Sequence, residues 1–127
     1  MTKSLIQTFN EAYIDDDEDA IQEIVELAQQ DPNLVASHYY FHVKEAINYY
    51  SQQPEVSITI TPKVYFDIHG CIYDQYMEPL EIILGEDASE IASSSYTMNY
   101  PFSLVEVENF LLSKGFIKDS KFDQFLK

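Results

Sequence analysis

The stretch "SHYYFHVKEAINYY", residues 37–50, decides how this chain is read. It places His38 and His42 four positions apart, with Tyr39, Tyr40, Tyr49 and Tyr50 around them. Apolar side chains at Val35, Tyr39, Val43, Ala46 and Tyr50, flanked by Ala36 and Ile47, recur at helical spacing, which predicts a third helix running to Ser51. On such a helix His38, His42, Glu45 and Tyr49 share one stripe at the margin of the buried face.

A His-x-x-x-His pair on a helix brings two imidazoles to one ion, which is a zinc-ligand spacing. His69 and Cys71 lie two positions apart further on, so His38, His42, His69 and Cys71 make an alternative four-ligand metal set. Two features weigh against it. A histidine at the border of a core stripe often covers apolar surface with its tip in water. The pair also lacks the adjacent glutamate of His-Glu-x-x-His that would supply a general base. The expectation is therefore no metal and no cofactor.

Outward from this stretch, the N-terminal side reads as helical. Leu5, Ile6, Phe9 and Tyr13 give a short first helix, and Ile21, Ile24, Val25 and Ala28 give a second. "DPN" at 31–33 stops that helix and restarts the chain, with Asp31 as a cap and Pro32 in the next first turn. "EDAIQEIVELAQQDPNLVASHYY", residues 18–40, resembles the helical stretch of phage antirestriction DNA mimics, where an acidic helix leads to a His-Tyr-Tyr segment. The resemblance stops there, because the strand-rich middle departs from that family's all-helical pattern, and the chain is not assigned to it.

Beyond Pro54 the period changes. Val56, Ile58 and Ile60 alternate with Ser57, Thr59 and Thr61, the pattern of a strand with one buried face. "KVYFDI" and "CIYDQY" flank His69-Gly70 and read as a hairpin, and "LEIIL" as a further strand ended by Gly85. Residues 86–102 read as a loop. Ser103 with Glu106 forms a capping box ahead of a last helix that closes on Lys114-Gly115, followed by a docking tail with Phe122, Phe125 and Leu126. The expected fold is a single α+β domain over residues 1–127. Its N-terminal helices (3–52) and C-terminal helix and tail (103–127) pack on a small antiparallel sheet of three to four strands from a β-rich middle (55–85).

Charge carries the functional reading. The 127 residues hold 22 carboxylates against seven lysines, with no arginine, for a net charge of −15. Between residues 4 and 113, only Lys44 and Lys63 oppose 20 carboxylates, a balance of −18. A field of that sign repels nucleic acid and acidic membranes and steers basic proteins inward. The run Asp15, Asp16, Asp17, Glu18 and Asp19 exceeds what one helix cap needs, and Glu86, Asp87 and Glu90 form a second cluster. Glu106 and Glu108 form a third. Tyr96 and Tyr100 lie in a Ser/Tyr/Asn-rich stretch of the kind found in protein-binding loops. With Tyr49 they suit contact with arginine and lysine through ring faces.

Catalytic patterns are missing: three glycines make no phosphate loop, no Gly-x-Ser-x-Gly elbow occurs, and nothing activates Cys71 as a nucleophile. The start "MTKSLIQTFNEAY" has no signal-like apolar stretch, no run approaches a membrane span, and one cysteine fits a reducing compartment. The sequence thus points to a cytoplasmic, non-catalytic acidic protein that inhibits a basic nucleic-acid-handling protein. It would act as the immunity protein of a nuclease toxin or as a nucleic-acid-mimicking anti-defence inhibitor. The alternatives are a small zinc protein and an adaptor subunit of a larger complex.

Overall fold

The computed structural model describes residues 4–47, 52, 54–73, 78–84, 95–99 and 104–126. In chain order the elements are α1 (Leu5–Tyr13), α2 (Glu18–Gln30), α3 (Pro32–Ala36), β1 (Tyr39–Ile47), β2 (Pro54–Pro62) and α4 (Lys63–His69). They continue with α5 (Glu78–Leu84), β3 (Ser95–Asn99), α6 (Leu104–Lys114), β4 (Ile117–Lys118) and α7 (Ser120–Phe125). The fold is α+β, with helices packed on a sheet ordered β3-β2-β1-β4. Three strands are antiparallel, and the two-residue β4 adds a short parallel edge beside Tyr40 and Phe41.

The first two helices and the restart at Asp31 form as their residues dictate. Ser4 accepts a hydrogen bond from the Gln7 amide, Asp17 from the Asp19 amide, and Asp31 from the Leu34 amide. Each side chain replaces a partner that a first helical turn cannot supply to itself.

The third helix stops at Ala36, and the segment from Tyr39 is a strand. Residues four apart share a face in a strand as well as in a helix, so Tyr39 and Val43 fit both readings. Phe41 separates them: it lies opposite Tyr39 on a helix, yet here both are fully buried in the same core. Tyr39, Phe41 and Val43 face that core, while Tyr40 joins a second cluster on the other face. β2 completes the pairing over nine positions, from Tyr39 opposite Pro62 to Ile47 opposite Pro54.

Two expected strands are helices. After Pro62, "KVYFDI" forms α4, and Gly70 ends it at φ +66 as a left-handed cap rather than a hairpin turn. "LEIIL" lies in α5, where Leu80 and Ile83 are buried at helical spacing. The expected loop 86–102 contains β3, which pairs with β2 from Asn99 opposite Glu55 to Ser95 opposite Thr59. The expected capping residue Ser103 lies outside the described residues, but the helix behind it runs to Lys114 with Gly115 at φ +106. In the tail Phe122 docks at 0 % exposure, whereas Phe125 stays 47 % exposed.

The main core lies between the sheet and α1, α2, α3, α5 and α6, and contains Phe9, Tyr13, Ile24, Val35, Tyr39, Phe41, Ile58, Leu80, Leu111 and Phe116. The smaller cluster joins Tyr40 of β1, Phe66 of α4 and Phe122 of α7. No helix among the described residues is long and apolar enough to cross a membrane.

Candidate functional site: an acidic helical face

The histidines are dispersed by the strand. Four residues of extended chain span about 13 Å, too far for two imidazoles to reach one ion from a flat strand. His38, at the entry to β1, stacks on Phe9 of α1 with ring centroids 4.7 Å apart. Burial, and then the charge of Lys63, lower its pKa below the usual histidine value. The Nδ1 of His42 lies 2.9 Å from Oδ1 of Asp123, which ties β1 to α7. His69 ends α4 and packs against Tyr65, while the Cys71 thiol donates to the Tyr65 hydroxyl at 3.8 Å. Among the described residues no group of three or more histidine, cysteine or acidic side chains is placed to hold a metal. The alternative set His38, His42, His69 and Cys71 is thus not brought together: His38 stacks on Phe9, His42 pairs with Asp123, and His69 and Cys71 both contact Tyr65.

The acidic run divides into roles that its sequence does not separate. Asp16 adopts φ +53, a left-handed conformation that aspartate tolerates better than most residues, and accepts a hydrogen bond from the Tyr73 hydroxyl at 3.3 Å. Asp17 caps α2. Asp15 is exposed, and Glu18 and Asp19 turn toward α5, where they line a groove of about 440 Å3 with Ile21, Gln22 and Glu78. Three carboxylates over an isoleucine suit a long basic side chain, whose charge meets the rim and whose methylenes meet the floor.

Behind this groove sits a buried tyrosine core. The hydroxyls of Tyr13 and Tyr39 are hydrogen-bonded to each other, and the Tyr73 ring meets Tyr13 edge-on at 4.8 Å. Burial raises the pKa of both Tyr13 and Tyr39 well above the ordinary phenol value, and Glu78 adds to the rise at Tyr13. These rings stay neutral and hold the acidic loop through Tyr73 and Asp16. Sequence reading missed Glu78, because the "LEIIL" segment was expected to be a strand rather than a helix beside α2.

The acidity extends along the chain beyond the groove. From Ser4 to Val43 the chain has nine carboxylates (Glu11, Asp15, Asp16, Asp17, Glu18, Asp19, Glu23, Glu26 and Asp31) and neither lysine nor arginine. All but the half-buried Glu11 are exposed. Of the other expected contact residues, Tyr49, Glu86, Asp87, Glu90 and Tyr100 lie outside the described residues. Tyr96 stands in β3, opposite Ile58 of β2, rather than in a loop. Glu108 pairs with Lys118 at 2.8 Å.

No family model, curated protein or solved structure matches this chain.

Proposed function

We propose that this chain is a non-catalytic acidic protein that binds and blocks a basic, nucleic-acid-handling protein, with its carboxylates standing where phosphates otherwise lie. The observation that carries this reading is the segment Ser4 to Val43, where nine carboxylates, eight of them exposed, stand with no lysine or arginine. Like charges at this density repel one another, and a surface of that charge is suited to an oppositely charged partner. The groove of Glu18, Asp19 and Glu78 supports the same reading, since it offers a seat for one arginine or lysine of that partner. An immunity protein for a nuclease toxin and an anti-defence inhibitor seated in a nucleic-acid groove both fit this chemistry.

Titration against a panel of basic nucleases over a salt series tests the reading. A complex is expected whose affinity falls steeply with salt and which nucleic acid displaces. The variant D15N/E18Q/E26Q/E78Q is expected to weaken it about tenfold or more, mostly through slower association. Binding that ignores salt, or a neutralised variant that binds like the parent, would overturn it.

A further inference from the structure

We propose that the edge of β1 from Val43 to Ile47 takes an extended segment of the basic partner as a further strand of the sheet. The positive charge of that segment rests on the function proposed above, whereas the edge follows from the backbone alone.

β1 has β2 on one side and the two-residue β4 on the other. The pairing fixes which backbone groups face which side. The Lys63 amide donates to the His38 carbonyl at 2.9 Å, and these two residues extend the register in which Tyr39 stands opposite Pro62. In an antiparallel ladder, directly bonded pairs recur at every second residue. His42, Lys44 and Ala46 therefore turn their amides and carbonyls to β2, and Phe41, Val43, Glu45 and Ile47 turn theirs away from it. β4 uses that outer side only as far as Phe41, opposite Lys118. The chain leaves the edge there because Asp119 caps α7, its side chain accepting from the amides of Lys121 and Phe122. Among the described residues no strand continues along Val43, Glu45 and Ile47. Lys44 and Glu45 are exposed at this point.

A row of outward backbone donors and acceptors is complementary to an extended chain. β4 shows that this edge accepts one, and which residues suit it. Ile117 packs on the cluster of Tyr40, Phe66 and Phe122, and the next residue, Lys118, reaches Glu108 of α6 at 2.8 Å. Beyond β4, Val43 packs against the main core, and Glu45 follows it on the same face of the strand. An incoming strand thus fits with an apolar residue beside Val43 and a lysine or arginine beside Glu45, as Lys118 meets Glu108. On the other face a neutral residue suits the neighbourhood of Lys44. The balance of −18 over residues 4–113 favours a cationic segment at longer range.

The probe is a peptide of about eight residues that repeats Thr-Val-Thr-Lys, with valine and lysine alternating on one face and threonine on the other. Added to the full chain, it is expected to slow hydrogen exchange at the Val43 and Glu45 amides and not at Lys44, whose amide is already bonded to β2. The same peptide methylated at every amide keeps its charge without its donors, and is expected to bind about tenfold more weakly or worse. E45P removes one outward donor and spares the ladder to β2, so unchanged circular dichroism is expected, with binding weakened about tenfold or more. E45Q keeps the donor and loses the charge, for a loss of about fivefold or less. A peptide that does not bind, a methylated peptide that binds as well, slowing without alternation along β1, or E45P that binds like the parent would overturn the proposal. The nuclease panel separates it from the reading on which it rests. A nuclease complex that E45P leaves unchanged removes the strand addition alone, and a panel with no salt-sensitive complex removes the acidic-segment reading alone.

Discussion

At the scale of single residues, the two left-handed glycines are not equivalent. Gly70 ends α4 at φ +66 with open space where a Cβ would go, so G70A meets only the backbone penalty, about 1 kcal/mol. Gly115 combines φ +106 with an approach of 2.7 Å to Asn33, so G115A must strain the backbone and move α3 as well. It is expected to cost about 2 to 4 kcal/mol in urea unfolding, and equal losses for the two variants would contradict the close approach. His38 gives a second residue-level prediction. Its pKa is lowered by burial against Phe9 and then by Lys63, so the folded chain binds fewer protons than the unfolded chain between that lowered value and about pH 6.5. Stability from this group is complete above that pH and declines as pH falls through the window, then levels off. H38F keeps a ring on Phe9 without the titration, and its unfolding free energy should lose less than the parent's between about pH 7 and 5. Parallel curves would refute the assignment.

At the scale of elements, the first two helices, the restart at Asp31 and the alternation of β2 were readable because each rests on local chemistry. The strand at Tyr39–Ile47 was not, because Tyr39 and Val43 share a face in both periods and only pairing with β2 chooses between them. The same ambiguity hid the candidate site. Reading α4 and α5 as strands left Glu78 far from Glu18 and Asp19, and no local signal shows that α5 packs beside α2. The acidity of the surface needed no structure, whereas the division of the Asp15–Asp19 run into anchor, cap and groove did. The tail shows how an element can rest on one residue. Phe122, at 0 % exposure, fills the space between Tyr40 and Phe66, and Asp123 reaches His42 from the same helix. F122A is expected to cost about 3 to 5 kcal/mol, whereas D123N should cost far less, because its amide keeps a hydrogen bond at a partly exposed site. Hydrogen exchange should then show α7 opening in F122A while α1 and α2 stay protected, and uniform loss of protection would mean that the tail is part of one cooperative core.

At the scale of the whole molecule, the same charge that fits a basic partner strains the fold. With 22 carboxylates against seven lysines, and cation pairs that include Lys118–Glu108 and His42–Asp123, the acidity far exceeds the cations that can offset it. The unfolded chain spreads these charges apart and the folded one gathers nine of them between Glu11 and Asp31, on α1, α2 and the turns that flank α2, so repulsion acts more strongly on the folded state. Salt screens it over a Debye length of about 10 Å at 0.1 M and about 3 Å at 1 M. Raising NaCl from about 0.05 to 0.5 M is therefore expected to increase the urea midpoint with an unchanged slope, a gain of about 1 kcal/mol or more. The same titration should weaken the complex with a basic partner, whose attraction passes through the same screening. Folding and binding thus respond to one variable with opposite signs. If the acidity served solubility alone, salt would stabilise the fold and no salt-sensitive complex would exist. If instead the unfolding midpoint fell or stayed level as salt rose, the carboxylates would not be repelling one another in the fold, and the picture of an acidic segment under net repulsion would fail.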